Sequence, residues 1–65
     1  MTKLTDREIA ILKLITQGYG NLEISKKIFI SVHTVKAHTS AIMKKLGAKN
    51  RTNAVYIALQ EHLID

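Results

Sequence analysis

The chain has 65 residues, 46% of them hydrophobic, with ten Lys and Arg against five Asp and Glu and neither cysteine nor proline. That length leaves room for one domain and little concavity for a substrate pocket, and the missing cysteines exclude a disulfide framework. No apolar run approaches the ~18 residues of a membrane span, and the N-terminus lacks a signal-peptide pattern; the absence of cysteine fits a reducing cytoplasm, the expected setting.

A domain of this size buries only about 60% of the surface its unfolded chain exposes, so apolar packing must hold it, with a partner subunit as one source of help. The charge is unevenly placed. Residues 1–30 carry five bases and three acids, whereas residues 31–51 carry Lys36, Lys44, Lys45, Lys49 and Arg51 and no acid. Such a block is the footprint of a polyanion binder, or else a solvated lysine-rich face.

The first predicted element is a helix opening after Thr5. Thr5 and Glu8 stand at the spacing of a capping box, in which the threonine oxygen accepts a backbone N–H and the glutamate reaches back to the cap. Ile11, Leu12 and Ile15 form its apolar stripe, broadened by Leu14. Gly18 ends it, because a left-handed backbone costs glycine little. After the Tyr19-Gly20 connection comes a short helix, about 21–27, that Asn21 can cap and in which Ile24 and Ile28 share a face. Phe29-Ile30 reads as a buried turn. Ser31 caps a third helix over residues 32–46, which Gly47 terminates. The last helix runs from about Arg51 to Leu63, capped by Asn50. The expected fold is all-α, a compact four-helix bundle, with residues 1–65 as one domain.

The third helix has two distinct faces. At 100° per residue, Val35, Thr39, Ile42 and Leu46 fall in one narrow arc, the core face. Opposite lie His33, Lys36, Ala37, Ser40 and Lys44, with His38 and Lys45 on a flank. The outward face is small in its middle and basic toward its ends. Small residues let a helix sink into a B-DNA major groove about 12 Å wide, where lysines reach base acceptors or phosphates and an alanine can touch a thymine methyl.

A short helix, a tight turn and a longer helix with an exposed polar face make a helix-turn-helix unit, here about residues 21–40, whose second helix (32–46) reads the groove while the first crosses the backbone. Asn21, Ser31 and Thr34, at helix starts, can face phosphates or serve only as caps.

Leu4-Thr-Asp-Arg-Glu8, Gly18, Asn21-Leu-Glu-Ile24, Ile30-Ser31, Thr34-Val-Lys-Ala-His38, Lys45-Leu-Gly47 and Arg51 with Ala54-Val55 follow, in order and spacing, the signature of the LuxR/FixJ-type (NarL-like) domain. The chain resembles that family over nearly its whole length. The resemblance implies a four-helix, helix-turn-helix DNA-binding domain of bacterial transcription regulators, usually attached to an N-terminal receiver or ligand-sensing domain. It implies double-stranded promoter DNA as partner, RNA polymerase as a further one, Lys36 and its neighbours as the base-reading face, and Asn21, Thr34, Lys45 and Arg51 as backbone contacts. Two positions depart from the pattern: Leu22 where a basic or polar residue is frequent, and Gly20 where serine is common.

Other chemistries fit poorly. His33 and His38 are five residues apart, about 140° of helix rotation, so they cannot hold one ion from the same face, and no cysteine completes a metal site. No nucleophile elbow or phosphate-loop glycine motif is present. No enzyme activity, cofactor or metal is expected. The alternative is a helical protein-interaction module. In the last helix Ala54, Ile57 and Ala58 lie toward one side, whereas Val55, Tyr56, Leu59 and Leu63 spread over another, and a surface helix normally carries one stripe. Val55, Tyr56 and Leu59 are therefore candidates for a homodimer interface, compatible with DNA binding by paired subunits. Wrapping of the core's edge by Leu59 and Leu63 is the simpler explanation of the second stripe.

Overall fold

The computed structural model describes residues 3–64. The outer limits expected for the domain, residues 1 and 65, lie outside the described residues. Four helices follow in order: α1 (Asp6–Thr16), α2 (Asn21–Ile28), α3 (Val32–Leu46) and α4 (Arg51–Gln60). The all-α expectation holds, and α2, a three-residue turn and α3 form the helix-turn-helix.

Three helix starts are capped by the residues the sequence pointed to. Thr5 Oγ1 accepts the Glu8 N–H at 3.1 Å, and Glu8 Oε1 accepts the Thr5 N–H at 2.9 Å. Ser31 Oγ accepts the Thr34 N–H at 3.0 Å, and Asn50 Oδ1 accepts the Asn53 N–H at 2.8 Å. The start of α2 differs. Gly20, not Asn21, occupies the cap position, and it has no side chain with which to accept a first-turn N–H. Glu23 Oε1 instead accepts the Gly20 N–H at 2.9 Å, which ties down this loop although glycine stands where serine is common.

All four helices close in the same way. A residue in the left-handed region turns the chain, and the next N–H bonds to a carbonyl five residues back, which satisfies an orphan carbonyl of the last turn. The pairs are Gly18 with Tyr19 N–H to Leu14 O, Phe29 with Ile30 N–H to Ser25 O, Gly47 with Ala48 N–H to Met43 O, and His62 with Leu63 N–H to Ala58 O. In each case the residue after the turn folds back partly buried. This corrects two expectations. Phe29-Ile30 is not a buried turn: Ile30 packs on the core, while Phe29, at φ 59°, projects into solvent and is 91% exposed. The last helix stops at Gln60, three residues early, because His62 at φ 54° bends the chain to bring Leu63 inward.

The core is made by Leu4, Ile11, Leu12 and Ile15, by Ile24 of α2, by Val35 and Ile42 of α3, and by Ala58 of α4. Helix α3 packs against each of the other three. Its buried face is the expected Val35, Thr39 and Ile42, with Leu46 half-buried. Among the described residues, three polar ones are buried. Thr39 donates to the Val35 carbonyl at 2.9 Å and Ser25 to the Leu22 carbonyl at 2.6 Å, each within its own helix. Only Glu8 reaches across to another helix.

Candidate nucleic-acid interface

His33, Lys36, Ala37, Ser40 and Lys44 are all exposed, on the side of α3 opposite its buried residues. The middle of that face, Ala37 and Ser40, carries no bulky side chain, and no acid lies anywhere on α3. His38 is half-buried on the flank. Ser31 and Thr34 are engaged with one another at the helix start, their hydroxyl oxygens 2.9 Å apart, so the first turn of α3 is held in place before any ligand arrives.

Lys45 is placed differently from its neighbour Lys44. Its Nζ lies 2.7 Å from Glu8 Oε1, the oxygen that also accepts the Thr5 N–H. The glutamate side chain is 7% exposed and the lysine side chain 29%. The Lys45 hydrogen bond, followed by that of the Thr5 backbone, lowers the Glu8 pKa below its ordinary value of 4.5, against the opposing effect of burial. The pair ties the start of α1 to the last turn of α3. A signal for it lay in the sequence: Glu8 falls on the apolar stripe of Ile11, Leu12 and Ile15, and an acid on a buried face needs a cation.

Asn21 and Arg51, both expected at the DNA backbone, are brought together. Arg51, the first residue of α4, donates from Nη1 to Asn21 Oδ1 at 2.9 Å and from Nη2 to the Tyr19 carbonyl at 3.0 Å. Asn21 is the first residue of α2, and among the described residues no side chain caps that helix, so its leading N–H groups are left for solvent or an anion. The Lys27 ammonium sits 4.4 Å from the centre of the Tyr19 ring, a second tie on the same loop. The roles of Tyr19 and Lys27 were not anticipated.

On α4, Ala54 and Ala58 face the core and Val55 packs partly against it, while Tyr56 and Leu59 are 62% and 57% exposed. Leu63 does wrap the core's edge. Leu59 does not.

Residues 2–58 match the family described as bacterial regulatory proteins, luxR family. The chain belongs to that family and is a helix-turn-helix DNA-binding regulator domain of it, not an enzyme. It is 50% identical over 62 residues to the oxygen regulatory protein NreC of Staphylococcus aureus, a stretch covering 95% of this chain and 29% of that protein. Among solved structures, the response regulator ChrA of a heme-sensing two-component system superposes with a TM-score of 0.93 at 45% identity, covering 98% of this chain and 32% of that one. VqmA of Vibrio cholera, solved in a ligand–DNA complex, gives 0.87 at 30% identity, covering 94% of this chain and 27% of that one. The chain thus spans less than a third of the relatives it matches. No helix among the described residues is long and apolar enough to cross a membrane.

Proposed function

We propose that residues 1–65 form one domain that binds double-stranded promoter DNA sequence-specifically, with α3 in the major groove, as a homodimer on paired half-sites. His33, Lys36, Ala37 and Ser40 face base edges. Lys44, Ser31, Thr34 and the start of α2 at Asn21 face phosphates, with His38 at the groove's flank. Lys45 is reassigned from DNA to Glu8, which already holds its ammonium. Regulation of transcription then follows from occupying a promoter within reach of RNA polymerase, in the cytoplasm of a bacterium. A receiver or ligand-sensing domain in the same polypeptide is the natural controller.

The observation that carries this reading is the exposed, acid-free, small-centred face of α3. Fluorescence anisotropy with a selected duplex and a random duplex tests it. Lys36→Ala should weaken the selected duplex by about 1–3 kcal/mol and relax preference at one base position. If each subunit neutralises about four phosphates, log affinity of a dimer falls with log salt at a slope near −7. Lys36→Ala and Lys44→Ala proteins that both bind like wild type would mean that the wrong face was chosen.

The exposure of Tyr56 and Leu59 supports pairing through α4 together with Val55. Tyr56→Asp, at an exposed position, should leave the fold intact and yield a monomer in sedimentation, with weaker binding to paired half-sites. The protein-interaction alternative draws on the same two residues and on exposed Leu22 and Phe29. It predicts negligible anisotropy change with any duplex, even at low salt.

A further inference from the structure

We infer that Arg51 is a positioning residue for DNA binding: by holding Asn21 Oδ1, it presets the Asn21 amide as a donor aimed away from the protein, toward a backbone phosphate. This rests on the reading that the start of α2 meets the phosphate backbone.

The argument begins with what a guanidinium can do. It carries five N–H donors and no acceptor, so the group facing it at 2.9 Å must be the amide oxygen. The alternative rotation would set N–H against N–H. An unrestrained asparagine amide turns over a broad, roughly two-fold torsion and offers its donor and acceptor ends alike. Here one end is committed. Arg51 is itself anchored by the Tyr19 carbonyl at 3.0 Å, so it cannot follow the amide as it turns.

The other end of the amide is open. Among the described residues, Asn21 Nδ2 donates to no protein acceptor, and no buried side-chain nitrogen or oxygen lacks a partner, so Nδ2 is reached by solvent. Both hydrogen-bond partners of Arg51 are neutral groups, so no carboxylate in this contact cancels its charge. A cation on the oxygen polarises the amide and strengthens its N–H donors, as in any hydrogen-bonded chain. The same contact joins α2 to α4, two helices that do not pack extensively on each other. Ordering the donor before DNA arrives removes part of the cost of ordering it on binding.

The test is a double-mutant cycle on DNA affinity at fixed salt. Asn21→Ala should bind the selected duplex about tenfold more weakly, roughly one phosphate hydrogen bond. Arg51→Met should lose a similar factor, and the double variant should be no weaker than either single one, because Arg51 acts through Asn21. In the Asn21→Ala background, Arg51→Met should change neither affinity nor salt slope. If Arg51 touches phosphate itself, the two losses multiply and the slope shallows by about 0.9, which overturns the inference while leaving the Asn21 contact standing. If Asn21→Ala binds like wild type, the contact and the inference fall together. Asn21→Asp covers the case in which Arg51→Met does not fold. It still accepts from Arg51 but donates nothing, so its melting temperature should match or exceed wild type while affinity drops about tenfold or more at salt that screens the added charge. Wild-type affinity in that variant is also fatal.

Discussion

Two corners of the molecule are held by a cation reaching across helices, and they differ in what the cation meets. Where α1 meets α3, Lys45 faces a nearly buried carboxylate that also completes a capping box. Where α2 meets α4, Arg51 faces an amide oxygen and a backbone carbonyl. The first corner consumes its charge inside the fold. The second leaves its guanidinium paired only with neutral groups, at a helix start where the Glu23 carboxylate already holds the Gly20 N–H. A basic residue near a binding surface is therefore not automatically a ligand for DNA, because an acid or a pair of neutral acceptors can already hold it within the fold.

The largest expected effect falls on the first corner. Glu8→Ala removes the reach-back bond and strands the Lys45 ammonium, and should destabilise the domain by about 2–3 kcal/mol in urea titrations, the pair being only partly buried. Arg51→Met should cost less, about 1–2 kcal/mol, because only neutral acceptors are released. The reverse order would break the comparison.

Acid sharpens it. The folded pKa of Glu8 is lowered, so the stability it contributes is complete above the ordinary value of 4.5 and is lost as pH falls through the folded value. Melting curves across that range should show wild type and Arg51→Met weakening together on acidification, while Glu8→Gln is flatter.

The adjacent lysines separate the two roles within one turn of helix. Lys45→Ala should cost about 2 kcal/mol of stability, leaving a buried carboxylate with only the Thr5 N–H, and should not change the salt slope of DNA binding. Lys44→Ala should do the opposite, with stability unchanged and a slope shallower by about 0.9. Smallest is Phe29→Gly, which relieves a left-handed aromatic residue and should raise stability by about 0.5 kcal/mol, once glycine's greater unfolded-state entropy is set against the relief.

The parts of this arrangement that were legible in the sequence are those whose causes are local. The caps at Thr5, Ser31 and Asn50 depend on partners three residues away, and the two faces of α3 follow from helix rotation alone. Gly18 and Gly47 announced two of the four turns. Phe29 and His62 make the same turn without glycine, so neither the exposure of Phe29 nor the early end of α4 could be read from residue type. The cross-helix contacts were hidden for another reason. Lys45 finds Glu8 across 37 positions and Arg51 finds Asn21 across 30, and only packing brings such groups together. That separation is why Lys45 and Arg51 first looked like unoccupied phosphate ligands.

Thr39 and Ser25 satisfy their hydroxyls one turn back along their own backbones, so neither acts as a notch against a neighbouring helix. Along its buried face, α3 meets the rest of the fold through the fully buried Val35 and Ile42. Its far end is pinned through Lys45, and the end bearing His33 and Lys36 is held by the fully buried Val35 and by packing against α2. The rod is thus fastened at both ends, so its exposed face keeps one orientation relative to the hydrophobic interior.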